Sequence, residues 1–165
     1  MAWTPPTDWV PGRGLTAAQL QTDVSDDLSA IGQWQAWTPV WSGAGSNPTI
    51  GNGTMAGRYT RIGGLVIAQM QLLMGSTTTY GSGAWYWSLP VQASPSQPVS
   101  RAIGVGWTYD AGVLTSMCEA WLAPAGSTSK VAMYAAAGAS LMRSTVPFTW
   151  VTGDFLSWRV IYEGA

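Results

Sequence analysis

The sequence predicts a mainly β protein: an antiparallel, jelly-roll-like β-sandwich preceded by an extended N-terminal arm and one short helix. Three observations support this. Short apolar or alternating segments recur along most of the chain, as in sandwiches and jelly rolls. The 20 Gly and 10 Pro of the 165 residues mark turns between these segments. Helical periodicity occurs at one place only, near the N-terminus.

Residues 1–15 are predicted to form an extended attachment arm. Pro5 and Pro6 fix φ and remove backbone donors, so this segment cannot form a helix or a central strand. Trp3 and Trp9 are large apolar groups for such a segment. They either pack on the body of the chain or anchor the arm in another protein, and both hypotheses stay open.

A helix is predicted over residues 16–33, with Thr16 as N-cap and Gln19 completing a capping box. Gly32 marks its end. The apolar residues of the helix are three or four positions apart and form one narrow stripe, close to a coiled-coil seam. The stripe either lies on the β-body or meets copies of itself around an axis, and the low charged fraction of 9% favours the second. Its residues, the predicted trimer interface, are Leu20, Val24, Leu28 and Ile31.

Residues 34–165 are predicted to form the β-sandwich. Gly63-Gly64 joins two of its strands in a hairpin, and a turn at 110–112 joins another pair. Alternation predicts which side chains point inward. The predicted strands are 55–62, 65–74, 84–90, 101–110, 113–123, 129–137 and 155–164. Three sets of residues each share one face of a predicted strand, and from them Trp85, Trp87 and Trp158 are predicted to lie in the core. The sets are Val66, Ala68, Met70 and Leu72; Trp85, Trp87 and Leu89; and Leu156, Trp158, Val160 and Tyr162.

The composition argues against enzymatic activity. The chain has no His and a single Cys, so the Ser-His-Asp and Cys-His arrangements and the usual zinc ligand sets are excluded. No phosphate-binding Gly-rich motif leads from a strand into a helix. The acids of the strand region lie mainly in turns, and Glu119 is the one acid within an apolar strand. We therefore predict a non-enzymatic protein without a cofactor or metal, and Cys118 as a buried residue.

Charge and hydropathy also limit the partners. The net charge is −1, and the 7 basic residues are scattered singly, so nucleic-acid binding is not expected. No apolar stretch approaches the length of a membrane span, so membrane insertion is not expected. No secretory signal is apparent at the N-terminus, and folding in a cytoplasm is expected.

Several aromatic residues are candidates for a binding surface. Trp and Tyr platforms stack against the C–H faces of sugar rings, although the same residues also fill cores and subunit interfaces. The candidates lie in a Gly/Thr loop, opposite the predicted core Trp pair, or near a turn. They are Tyr80, Tyr86, Trp107 and Tyr109.

Three strings carry a resemblance to a known family. WVPGRGLTAAQLQTDVSDDLSAI (9–31) resembles the N-terminal segment of minor tail or fibre-like proteins of tailed bacteriophages infecting actinobacteria, where a Trp-rich arm precedes an "LTAAQLN..VRDNL" helix. The stretch from WTPVWSG to YWSLPV (37–91) is similar to the opening of their β-domain, and VTGDFLSWRVIYEGA (151–165) to its closing strand. Here Asp26-Asp27 replaces their usual basic–acidic pair, so their helix charge pairing need not apply.

The resemblance implies a virion protein that forms a homotrimer and is assembled in the host cytoplasm. The arm, through Trp3, Pro5, Pro6 and Trp9, is expected to dock on other virion structural proteins of the tail. The β-domain is then a distal knob that contacts the host surface, with cell-wall glycan as the expected receptor. A capsid decoration or head-fibre protein without receptor binding is the main alternative, and a cell-wall hydrolase is disfavoured by the missing acid–base groups.

Overall fold

A computed structural model describes residues 12, 14, 16–26, 28, 31–96, 102–123, 127–135 and 140–165. The four predicted docking residues, Trp3, Pro5, Pro6 and Trp9, lie outside this part of the chain. Ten strands and one short helical segment are present within it. Among the described residues, no helix is long and apolar enough to cross a membrane.

The strands form one antiparallel sheet in the order β1-β3-β4-β10-β6-β7-β8-β5-β2, with β9 paired to β8. The four central strands, β4, β10, β6 and β7, each have nine residues and pair with their neighbours over most of their length. The strand bounds are β1 (Gln35–Trp37), β2 (Trp41–Gly43), β3 (Thr54–Ile62), β4 (Leu65–Leu73), β5 (Trp85–Ser88), β6 (Ala102–Asp110), β7 (Leu114–Leu122), β8 (Lys130–Ala135), β9 (Ser140–Leu141) and β10 (Phe155–Glu163).

The sheet is curled until its two edges approach each other. β1 lies at one edge and β2 at the other, yet only residues 38–40 separate them in sequence. Such a linker spans at most about 14 Å, so the edges of the sheet must be brought together. The Ser88 N–H donates to the Val40 carbonyl at 3.0 Å, which seats the linker against β5. The predicted sandwich-like β fold is confirmed, and its two layers belong to one continuous sheet.

The concave face of the sheet encloses a single hydrophobic core. Alternation along β4 and β10 places Val66, Leu72, Leu156 and Val160 inside with no exposed surface. An aromatic cluster fills the other half of the core. In it, the Trp41 ring stacks parallel to the Trp87 ring and meets the Trp85 ring edge-on, with centroids 4.8 Å apart in the second pair. The three predicted core tryptophans, Trp85, Trp87 and Trp158, are buried, and so are the residues grouped on one face with Leu72, Leu89 or Leu156, the least so being Leu89.

The boundaries of the long strands agree closely with the prediction, whereas the shortest strands were not predicted. β1, β2 and β9 have two or three residues each, which is too few for an alternating pattern to be detected. The predicted loops 42–53 and 75–83 are also ordered, because they are bridged to each other. Thr49 and Thr79 exchange backbone hydrogen bonds at 2.9 Å, and their hydroxyls lie 2.7 Å apart.

The N-terminal helix begins as predicted. Thr16 is the N-cap, its hydroxyl accepts from the Gln19 N–H at 3.2 Å, and the reciprocal capping-box bond is present. The α-helical part, α1, covers only Ala17–Leu20, and Gln21–Asp26 continue as a π-helix. This part, QTDVSD, is rich in residues whose side chains compete with helical backbone bonds, which disfavours regular α-helical bonding over Gln21–Asp26.

The predicted apolar stripe of the helix is exposed on the single chain. Leu20, Val24, Leu28 and Ile31 have between 39% and 62% of their surface accessible. No residue of α1 is buried. The stripe therefore does not form part of the core of the β-body, which was one of the two arrangements left open by the sequence.

Cys118 is buried on the inner face of β7, as predicted. Burial raises the pKa of its thiol from 9.0 to about 12. Between these values the folded thiol stays protonated while the unfolded thiol ionises, so stability falls as pH rises.

We expect Cys118→Ala to weaken this alkaline loss of stability. From pH 8 to pH 10, the Cys118 contribution to the free energy of unfolding falls by about 1 kcal/mol. Urea unfolding of both proteins at the two pH values measures this difference. Equal losses in the original protein and the variant would contradict the prediction.

Candidate functional site

The convex face of the sheet carries a groove that crosses four strands. Its volume is about 590 Å³. The side chains that line it come from outward positions on β3, β4, β10 and β6, and we call it the outer groove. They are Ala56, Arg58, Gln69, Gln71, Val105, Trp107, Ser157 and Arg159.

Strand register aligns these side chains in two neighbouring rows. In the first row Arg58 pairs with Gln69, and Gln69 pairs with Arg159. Val105 follows on the next strand, opposite Arg159. Strands lie about 4.8 Å apart, so the two arginines are separated by about 10 Å at their Cα atoms, with Gln69 between them.

The second row carries the aromatic wall of the groove. Gln71 pairs with Ser157, and Ser157 pairs with Trp107. Trp107 is 47% exposed, whereas five of the nine tryptophans in the described part of the chain are buried. This row is therefore a strip of amide and hydroxyl side chains that ends at the indole ring of Trp107.

The two guanidinium groups of the groove are held by neutral groups. Arg159 donates from Nη2 to Gln69 Oε1 at 3.0 Å. The Arg58 guanidinium lies over the Trp34 ring, 4.8 Å from its centroid. A guanidinium has five N–H donors, so each retains donors for a ligand. The groove lining contains no carboxylate, and its electrostatic character is positive.

Of the four aromatic residues predicted to contact a receptor, two lie on this face. Trp107 lines the groove, and Tyr109 points to the same side two residues further along β6. The Tyr109 ring stacks on Phe155 at 5.1 Å, which holds it at the margin of the groove. Both residues therefore lie on the same face of β6, and Trp107 is the one that lines the groove.

The other two predicted residues lie elsewhere. Tyr80 packs against the core, where its ring stacks on Trp85 at 6.3 Å and burial, with the charge of Asp154, raises its pKa. Tyr86 lies on β5, three strands from β6 in the sheet order, and contacts Lys130. The structure does not bring these two tyrosines together with Trp107.

Two of the described carboxylates are held by hydrogen bonds within the chain. Asp154 is fully buried, and its two oxygens accept backbone N–H bonds from Ala111 and Val151 at 2.9 and 2.7 Å. Glu119 points outward on β7 and accepts the indole N–H of Trp121 at 3.1 Å. In the described part of the chain, no cluster of three or more potential metal-ligating side chains occurs.

Sequence reasoning overlooked the polar part of the outer groove. Arg58, Gln69, Gln71, Ser157 and Arg159 were not singled out, since scattered polar residues on strands are ordinary solvent-facing positions. A signal was present for four of them, because Gln69, Gln71, Ser157 and Arg159 alternate with the apolar residues of their strands. Pairing β10 between β4 and β6 would have been needed to align them, and that order cannot be read from a single sequence.

Comparisons with known proteins found one informative similarity. A curated protein, the Mu-like prophage FluMu defective tail fiber protein of Haemophilus influenzae, is 26% identical over 141 residues. The match covers 86% of this chain but 22% of that relative. No protein-family model and no solved structure matches the chain. The match supports likeness to a phage tail-fibre protein and gives no support to an actinobacterial host.

Proposed function

We propose that this chain is a structural protein of a bacteriophage tail, a tail-fibre-like appendage that contacts the host surface through its β-domain. The observation that carries the proposal is the similarity over 86% of the chain to a tail fibre protein. In this proposal it acts by binding.

We further propose that three copies share one axis, with the helix stripe as the seam. Its four apolar residues are exposed on the single chain, and they are spaced as in a narrow coiled-coil seam. Three copies would cover this apolar surface and would present three β-domains together. Weak contacts of the individual domains would then combine into firm attachment.

Labelling of intact virions tests the proposed location. Gold-conjugated antibodies against the β-domain are expected to mark the tail in electron micrographs. Purified protein is also expected to bind host cells and to slow phage adsorption by competition. Labelling of the capsid surface without cell binding would overturn the tail assignment and would indicate a decoration or head-fibre protein.

We predict that Leu28→Asp separates the trimer into single chains without unfolding the β-domain. A carboxylate in the seam would repel its symmetry copies, whereas the helix contributes nothing buried to the core. Sedimentation velocity measures the mass, and circular dichroism the fold. Ser25→Asp, an exposed change elsewhere on the π-helix, is the control and should remain trimeric. A Leu28→Asp variant that stays trimeric would exclude the seam.

A further inference from the structure

We propose that the outer groove binds an anionic saccharide, a glycan whose repeating units carry carboxylate or phosphate groups. This inference rests on the proposed function and specifies the receptor class of that same surface. Its basis is the juxtaposition of two arginines without a carboxylate, a row of amide and hydroxyl side chains, and one exposed indole ring. These three features meet in one groove of about 590 Å³.

The charge of the groove differs from that of the chain. The chain has a net charge of −1 and only 7 basic residues, yet two of them, Arg58 and Arg159, line this groove and no acid does. Opposite charges at paired positions of neighbouring strands stabilise a sheet. Neither arginine has an acid directly opposite it on an adjacent strand. Here the residue between the two arginines is Gln69, a neutral group that orients one of them.

The arginines are prepared for an anion. The Arg58 guanidinium lies over the Trp34 ring, and this contact limits the positions that it can adopt. Arg159 is fixed through one nitrogen by Gln69. Planar guanidinium forks bind carboxylate and phosphate oxygens through two parallel hydrogen bonds. The Cα atoms of the two arginines are about 10 Å apart, so two anionic groups of one saccharide molecule can be bound at once.

The remainder of the groove suits a sugar and not a bare ion. Trp107 offers a flat apolar face at one wall, on which the C–H side of a pyranose ring can stack. Gln71 and Ser157 lie beside it and supply donors and acceptors for hydroxyl groups. An inorganic anion would use the arginines and leave this wall unoccupied.

A second copy of this chain is a less suitable occupant. In a twofold contact the same patch meets itself, which would place the arginines of one copy against those of the other. Nucleic acid is also anionic, but two arginines provide few phosphate contacts compared with the basic surfaces of nucleic-acid-binding proteins. Both occupants are distinguished by the measurements below.

The test measures binding of the full chain to defined probes by calorimetry. The probes are an oligogalacturonate, its neutral methyl ester, an oligomer of glycerol phosphate, free inorganic phosphate and a single-stranded oligothymidylate. We expect the oligogalacturonate or the glycerol phosphate oligomer to bind at least tenfold more tightly than the neutral ester, free phosphate or the oligothymidylate. The two anionic oligomers distinguish carboxylate from phosphate. Equal binding of the neutral ester, preferential binding of oligothymidylate, or no binding of either anionic oligomer would overturn the proposal.

Variants locate the binding to the groove. The double change Arg58→Gln with Arg159→Gln, and separately Trp107→Ala, should each weaken binding at least tenfold. Arg143→Gln removes one positive charge, half of the change in the double variant, from an exposed position outside the groove, and it should change binding by less than twofold. A loss in Arg143→Gln equal to that in the double variant would overturn the site, since it would reflect net charge only. If Trp107→Ala dissociates the oligomer, the groove is a contact between copies of this chain. That result would also overturn the proposal that the groove binds a saccharide.

Failure of this inference is distinguishable from failure of the tail-fibre assignment. If the double arginine variant binds host cells as well as the original protein does, the groove is not the receptor site, while the tail location and cell binding stand. If gold labelling marks the capsid and cells are not bound, the tail assignment fails irrespective of the calorimetry.

Discussion

Replacing Trp85 with alanine is expected to lower the free energy of unfolding by about 3–5 kcal/mol, the largest effect of any single change considered for this protein. Trp85 has no exposed surface, and its ring is enclosed by other aromatic rings of the core. It lies edge-on to Trp41 at 4.8 Å and is tilted against Trp150 at 5.5 Å. Its indole N–H donates to the Tyr80 carbonyl at 2.8 Å.

The loss has two sources. Removal of the ring creates a cavity that rigid neighbouring rings cannot fill by relaxing, and it forfeits the transfer free energy of a large apolar group. It also leaves the Tyr80 carbonyl without its donor. Since Tyr80 lies in the loop that is bridged to residues 46–49, the loop is expected to loosen together with the core.

Denaturant unfolding followed by circular dichroism measures the loss. Trp107→Ala is the matched control, because it removes the same side chain from the exposed groove wall, and it should cost less than about 1 kcal/mol. A loss in Trp107→Ala as large as that in Trp85→Ala would mean that the groove tryptophan is part of the structural core. Both variants replace tryptophan with alanine. Trp85→Ala is expected to lower stability, whereas Trp107→Ala is expected to weaken binding.

Replacing Asp154 with alanine is expected to destabilise the fold by about 2–4 kcal/mol. This carboxylate is fully buried without a basic partner among the described residues, so backbone donors stabilise it. One oxygen accepts the Ala111 N–H at 2.9 Å, in the turn between β6 and β7. The other accepts the Val151 N–H at 2.7 Å, in the turn that precedes β10.

Asp154 therefore joins two turns that are 43 residues apart in sequence. Hydrogen bonds to charged groups are worth roughly twice those between neutral groups, and alanine leaves both donors without an acceptor. Asp154→Asn should recover only part of the stability, because its amide presents a donor to one of the two N–H groups.

Thermal and denaturant unfolding measure these losses, with Asp110→Ala as the control. Asp110 lies in the same turn region but is not fully buried, and its expected cost is below about 1 kcal/mol. If Asp154→Ala unfolds at the same denaturant concentration as the original protein, the two turns are held by their own backbone bonds, and the proposed link is wrong.

Much of the fold follows from local patterns. The alternation predicted that Val66, Ala68, Met70 and Leu72 share one face of β4, and the structure buries all four. Thr16 and Gln19 predicted the start of the helix, since a capping box needs only neighbouring residues. The π-helix after Leu20 was not predicted, because periodicity shows that a helix is amphipathic and does not show how its hydrogen bonds close.

The candidate site was predicted only in part. Trp107 and Tyr109 were chosen as surface aromatics near a turn, and they do lie on the face that carries the groove. Tyr80 was chosen on the same reasoning, yet it stacks on Trp85. A loop tyrosine between small residues has the same local sequence whether its ring faces solvent or covers a core.

By itself, the sequence determined the β character of the chain, the inward faces of its long strands, the capped helix start and the absence of His-dependent chemistry. These properties depend on residues within a few positions of one another or on composition alone. The tertiary structure decided the strand order, and hence that Arg58, Gln69 and Arg159 form one row beside Trp107. It also brought Asp154 to Ala111. Such contacts join residues far apart in sequence, and their pairing depends on how the whole sheet curls around its core, which no local pattern specifies.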